Sequence, residues 1–124
     1  MSAQIPLLIG AALAAIWGIA HLFPTKSVVD GFGDISADNR HIIAMEWITE
    51  GVALIFIGAL VAAVTLTDHT SPVAQVVYFV SAGAMITLAG VSLGTGFKVN
   101  FLPFKLCPFI FGASAILFVI EAIA

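Results

Sequence analysis

Charge is scarce in this chain. Only 9% of its 124 residues are charged, against about a quarter in soluble domains. With 61% of residues hydrophobic, a soluble fold of this length has no interior large enough to hide them. A bilayer does, because lipid replaces a core as the apolar solvent. Basic residues number four and never cluster, so nothing attracts nucleic acid. The single cysteine, Cys107, excludes an intramolecular disulfide and any cysteine-based metal cluster, and it reads as a small apolar filler. No positive charge precedes the first apolar run, which argues against a cleaved signal peptide and for a retained first helix.

What is present is four apolar segments, expected as helices over about 5–23, 40–66, 72–94 and 108–124. The expected fold is therefore all-α: one integral membrane domain over 1–124, a bundle of four transmembrane helices in the cell membrane. Pro6 falls in the first turn of the first helix, and Pro24 stops it. Thr25 to Arg40 reads as a polar loop, with Asp38 or Asn39 capping the second helix. Ser71 followed by Pro72 is a cap and first-turn pair. Tyr78 and Gln75, near the start of the third helix, read as belt and cap residues. Gly51 and Gly58 on the second helix, and Gly83 and Gly90 on the third, lie two turns apart and mark faces where helices approach closely in lipid. These faces are expected to pack on each other or on a second copy. Phe97, Phe101 and Phe104, interleaved with Lys98 and Lys105, suit a segment lying in the membrane interface.

Four spans put both long loops on one side and both termini on the other. The loops carry Lys26, Arg40, Lys98 and Lys105, which are all the basic residues. The positive-inside rule therefore places the loops in the cytoplasm and both termini on the non-cytoplasmic side.

Two carboxylates, Glu46 and Glu50, enter the second apolar segment four residues apart, hence on one helix face. An ionisable residue in a membrane helix is costly and marks a functional site by default. Counted from the start of its helix, Glu50 is expected near the midplane. Trp17 and His21 share a face at the end of the first helix, where belt and headgroup roles would also explain them. Sequential helices usually touch, so Trp17, His21, Glu46, Trp47 and Glu50 are expected to line one cleft, with Arg40 and His41 at its mouth. A carboxylate buried there takes up a proton unless His21 or a bound cation faces it.

Several chemistries suit such a cleft. One is a pocket for a lipid-like molecule, quinone-like or sterol-like, anchored by the glutamates and walled by Trp17 and the loop phenylalanines. Another is a metal site of His21, Glu46 and Glu50, without the Glu-x-x-His signature of bundle di-iron proteins. Haem between His21 and another histidine is the weakest, since His41 is shallow and His69 lies across the bilayer. Without a ligand, the chain is an accessory subunit whose glutamates bond partner helices or a second copy. Proton conduction lacks a polar stripe through the far half.

The first helix ends in Gly18, His21 and Pro24, and the next brings Glu46 or Glu50 and then Gly51. In a chain of this length with four spans, that layout resembles the DoxX-like membrane proteins. The resemblance covers most of the chain as a pattern of segments. It implies a four-helix membrane protein, with links in some members to sulfur-compound oxidation using quinone as acceptor, or to membrane oxidoreductase complexes. It favours a quinone-facing or redox-accessory role, with a metal-dependent or quinone-linked oxidoreductase as the alternative. No sulfur-chemistry motif accompanies the lone cysteine.

Overall fold

The computed structural model describes residues 2–124. It is all-helical, with no strand among the described residues. Helix α1 is Gln4–Leu22, α2 is Thr25–Asp30, α3 is Ala37–Asp68 and α4 is Pro72–Gly94. A single 3₁₀ turn, Gly96–Lys98, leads into α5, Leu102–Ile123. Four of these, α1, α3, α4 and α5, are long and apolar enough to cross a membrane.

The core combines small, aliphatic and aromatic side chains. Leu7, Ala11 and Ala14 of α1 meet Leu54 and Val61 of α3, Tyr78 and Met85 of α4, and Phe111 and Phe118 of α5. Large apolar residues such as Ile16, Phe56, Val80 and Phe109 point outward instead. In water such a surface would aggregate; in lipid it is the solvated face.

Glycine sets how closely α1 and α3 approach. A Cβ on Gly58 would stand 2.5 Å from the Ala11 carbonyl oxygen, and one on Gly18 2.6 Å from that of Gly51. The glycines of α3 thus pack on α1 and not on α4. Gly83 and Gly90 have nothing within 4 Å of the added carbon, so α4 turns these two glycines outward. The expectation that the two glycine faces meet is corrected accordingly.

Three local expectations also change. The Thr25–Arg40 segment is not one loop. It contains α2, and α3 begins at Ala37 because Ser36, not Asp38 or Asn39, is its cap and accepts the Asn39 amide at 3.1 Å. Asp38 then sits in the first turn, where a negative charge complements the helix dipole. The last helix starts at Leu102, six residues before Pro108. Pro103 occupies its first turn, and Pro108 lies inside it. Tyr78 is no belt residue: it is 1% exposed, and its hydroxyl pairs with that of Thr65 at 3.0 Å.

Helix α3 has 32 residues and α1 has 19, so at ~1.5 Å per residue they are roughly 48 and 28 Å long. Gln4 at the start of α1 lies beside His69 after α3, with their side chains 3.1 Å apart. The first turns of α3 therefore extend past the end of α1. There α2 folds against them, held by Asp30, which pairs with both Lys26 and Arg40.

Candidate functional site

The end of the bundle carrying the basic residues is built around the last turn of α1. The last four carbonyls of a helix lack intrahelical partners. Two of those of α1 are taken by side chains. The Trp47 indole N–H donates to the His21 carbonyl at 2.6 Å, and the Thr25 hydroxyl to that of Leu22 at 2.6 Å. The first bond fixes Trp47 of α3 flat against the His21 ring, with centroids 3.8 Å apart and planes 16° from parallel.

The imidazole of His21 is nearly enclosed, its side chain 7% exposed. Its Nε2 lies 3.4 Å from Oε2 of Glu50 but is not aligned for a hydrogen bond with it. Nε2 is therefore a buried polar atom without a partner. Such atoms are rare, and each calls for an explanation. The Ser114 hydroxyl is in the same condition, but it borders neither of the spaces described below.

His21 borders a chamber of about 340 Å³. Trp17 and His21 of α1, Trp47 and Glu50 of α3, Leu88 and Ser92 of α4, and Phe104 and Cys107 of α5 contribute to its walls. The walls are largely apolar, and the polar groups of α4 are already occupied. The Ser92 hydroxyl donates to the Leu88 carbonyl and that of Thr95 to the Val91 carbonyl. Pro108 has no N–H, so it cannot donate to the Phe104 carbonyl one turn before it. Phe104 packs on Trp47, centroids 5.6 Å apart, and on Phe101 at 5.8 Å.

A second, wider groove of about 950 Å³ adjoins the chamber. It runs between α2, the first half of α3 and the α4–α5 connection, past Val28, Phe32, Ile43, Ala53 and Val99.

The proposed residues sort as follows. Trp17, His21, Trp47 and Glu50 come together around the chamber. Glu46 borders the wider groove instead, with Trp47 and Glu50. His41 is exposed and borders neither space, and Arg40 is engaged with Asp30, so a mouth formed by those two is not found. The proposed metal set is not assembled. His21 and Glu50 approach each other, but Glu46 does not join them, and no group of three His, Cys, Asp or Glu among the described residues is placed to hold an ion. Glu50 is near the middle of α3 yet level with the last turn of α1, because α3 is the longer helix.

Sequence reasoning missed the contributions of α4 and α5. Leu88, Ser92 and Thr95 look like ordinary helix residues, whereas Phe101 and Phe104 belong to the loop phenylalanines expected either in the interface or as pocket walls. Lys105 does bend back over this connection, donating to the Phe97 carbonyl at 2.9 Å with its ammonium 5.0 Å from the Phe97 ring centre. The two prolines flanking Cys107 were the available signal. Comparison with protein-family models, curated proteins and solved structures returns no match to this chain.

Proposed function

We propose that this is a multi-pass protein of the cell membrane that binds a lipid-like, quinone-like molecule in the chamber and serves a membrane redox system as an accessory subunit. The observation that carries this reading is the buried Nε2 of His21, without a hydrogen-bond partner, on a residue that borders a largely apolar cavity together with Glu50. Ligand pockets between bundle helices have this character: mostly apolar walls, a few convergent polar groups and a volume of roughly 300–1,000 Å³. A carbonyl or hydroxyl oxygen on an apolar ring suits both features. It bonds to Nε2 while the ring packs on Trp17 and Phe104. Trp47, stacked on the ring, holds the imidazole in place, and Glu50 beside it can accept from a ligand hydroxyl. A bound quinone would supply electron-carrying capacity; this chain supplies the shape and the hydrogen-bonding anchor.

All four basic residues lie at this end: Lys26 in α2, Arg40 at the start of α3, Lys98 in the 3₁₀ turn and Lys105 at the start of α5. The positive-inside rule then faces the chamber's end of the bundle to the cytoplasm and leaves both termini outside. The layout-level resemblance to DoxX-like proteins supports the redox assignment.

The test is a titration of protein in lipid nanodiscs with a benzoquinone that carries ring substituents but no chain, followed through quenching of Trp17 and Trp47. Saturable quenching is expected, weakened about tenfold in His21→Leu by loss of one hydrogen bond to a buried group. Quenching that never saturates, or that is equal in a His21→Leu protein of unchanged thermal stability, overturns the reading.

A further inference from the structure

The chamber and the wider groove adjoin. They share Pro24, Trp47, Glu50, Leu88, Phe101 and Phe104, so one wall serves both. Their characters differ. The chamber, at about 340 Å³, is at the small end of ligand pockets and is bordered by His21, whose Nε2 lacks a hydrogen-bond partner. The groove, at about 950 Å³, is larger and is bordered by Val28, Phe32, Ile43, Ala53 and Val99. A compact rigid ligand such as a sterol would fill one space and leave the other. A ring with a flexible hydrocarbon chain matches both.

We infer that the ligand is a single-chain amphiphile, its ring in the chamber at His21 and its chain laid through the groove between α2 and the first half of α3. This rests on the function proposed above and adds the chain, its path and the role of α2. Ring and chain meet at Trp47. Its indole is pinned by the bond to the His21 carbonyl, so it is a fixed divider around which the chain turns. Helix α2 forms the far side of the groove and is tied to α3 through Asp30 and Arg40. Glu46 also borders the groove and is exposed.

Because lipid already solvates a hydrocarbon chain, the chain adds little affinity, and its path is best tested by obstruction. Two probes suffice: the chain-free benzoquinone and the same ring bearing a decyl chain, both titrated by mole fraction of nanodisc lipid. In Ala53→Trp, which adds bulk at the border of the groove and not of the chamber, binding of the decyl compound is expected to weaken about tenfold or more, the usual scale of a steric misfit. Binding of the chain-free ring is expected to stay within about twofold of the native protein. Equal effects on both probes, or no effect on either, overturn the inference while leaving ring binding intact. Failure of the chain-free ring to bind the native protein overturns the function reading as well.

A second measurement does not depend on the variant folding. A quinone with a photoreactive diazirine at the chain end is cross-linked and the site mapped by mass spectrometry. Labelling within 27–32 and 42–53, suppressed by excess unlabelled decyl quinone, supports the path. Labelling of the outer face of α4 overturns it. So does labelling of the groove by a diazirine phospholipid that the unlabelled quinone does not displace, because the occupant is then a bilayer acyl chain.

Discussion

The two ends of the bundle are built from the same apolar helices and behave oppositely. At the end holding the termini, polar side chains find each other. The Thr65 hydroxyl donates to the Val61 carbonyl and meets Tyr78, and Gln4 meets His69. Helix α3 sits against the Ala11 and Ala15 backbone with no room for a Cβ on Gly58. At the other end the helices are of unequal length, and α1 breaks at Pro24. Two adjoining spaces open there, and one buried nitrogen goes without a partner. Both open spaces lie at the second end, although α1 and α3 still meet there backbone to backbone at Gly18 and Gly51. The lesson concerns lipid: without a hydrophobic drive between helices, close packing has to come from small residues and shared hydrogen bonds.

The sharpest way to break this contrast is to spoil the close contact. Gly58→Leu pushes a branched side chain into the α1 backbone, which cannot retreat as a side-chain tip can. The expected cost is about 3 kcal/mol or more, seen as a large fall in melting temperature in detergent. Gly90→Leu is the control. Its position is open, so the change is expected within about 0.5 kcal/mol. A comparable loss in Gly90→Leu would mean that the outward face of α4 is covered after all.

That control also shows what the sequence could and could not tell. Gly51 and Gly58 share the spacing of Gly83 and Gly90, yet only the first pair touches a neighbour. Spacing reports a face and not its partner. The four apolar helices were legible from composition and length alone, and the Ser71–Pro72 helix start from its capping chemistry. The approach of His21 to Glu50 followed from the adjacency of sequential helices. The walls from α4 and α5 did not, because contacts across several elements leave no local trace. Ser36 was overlooked because the charges of 34–40 suggested a solvated loop, when a serine three residues before Asn39 was the stronger signal.

A middle-sized effect separates Trp47 from its surroundings. Trp47→Phe keeps an aromatic face for His21 but leaves the His21 carbonyl without its donor. A stability loss of about 1 kcal/mol is expected, together with weaker quinone binding, since the divider between the two spaces is no longer pinned. Unchanged binding would separate the indole hydrogen bond from the site. Tyr78→Phe offers the mirror case at the closed end. The Thr65 hydroxyl keeps its bond to the Val61 carbonyl, so the loss is expected at about 0.5–1 kcal/mol, with binding untouched. Any change in binding there would mean that the two ends are coupled.

The smallest effect belongs to the tie between α2 and α3. Asp30 receives hydrogen bonds from Lys26 and Arg40, and these hold its carboxyl below the ordinary carboxylate range. A group whose folded pKa is depressed contributes its stabilisation above the unfolded value and loses it as pH falls through the folded one. The tie should therefore be intact at neutral pH and fail only in acid, beneath the usual aspartate titration. Because Asp30 is exposed, solvent and salt screen the pair, and global stability should barely respond. The response is expected locally, as faster amide exchange in α2 for Asp30→Asn at neutral pH and for the native protein in acid. High salt should act in the same direction. If α2 exchanges equally in both proteins at neutral pH, its position rests on the buried Val29 against α3 and not on the charges, and the groove keeps its far side without them.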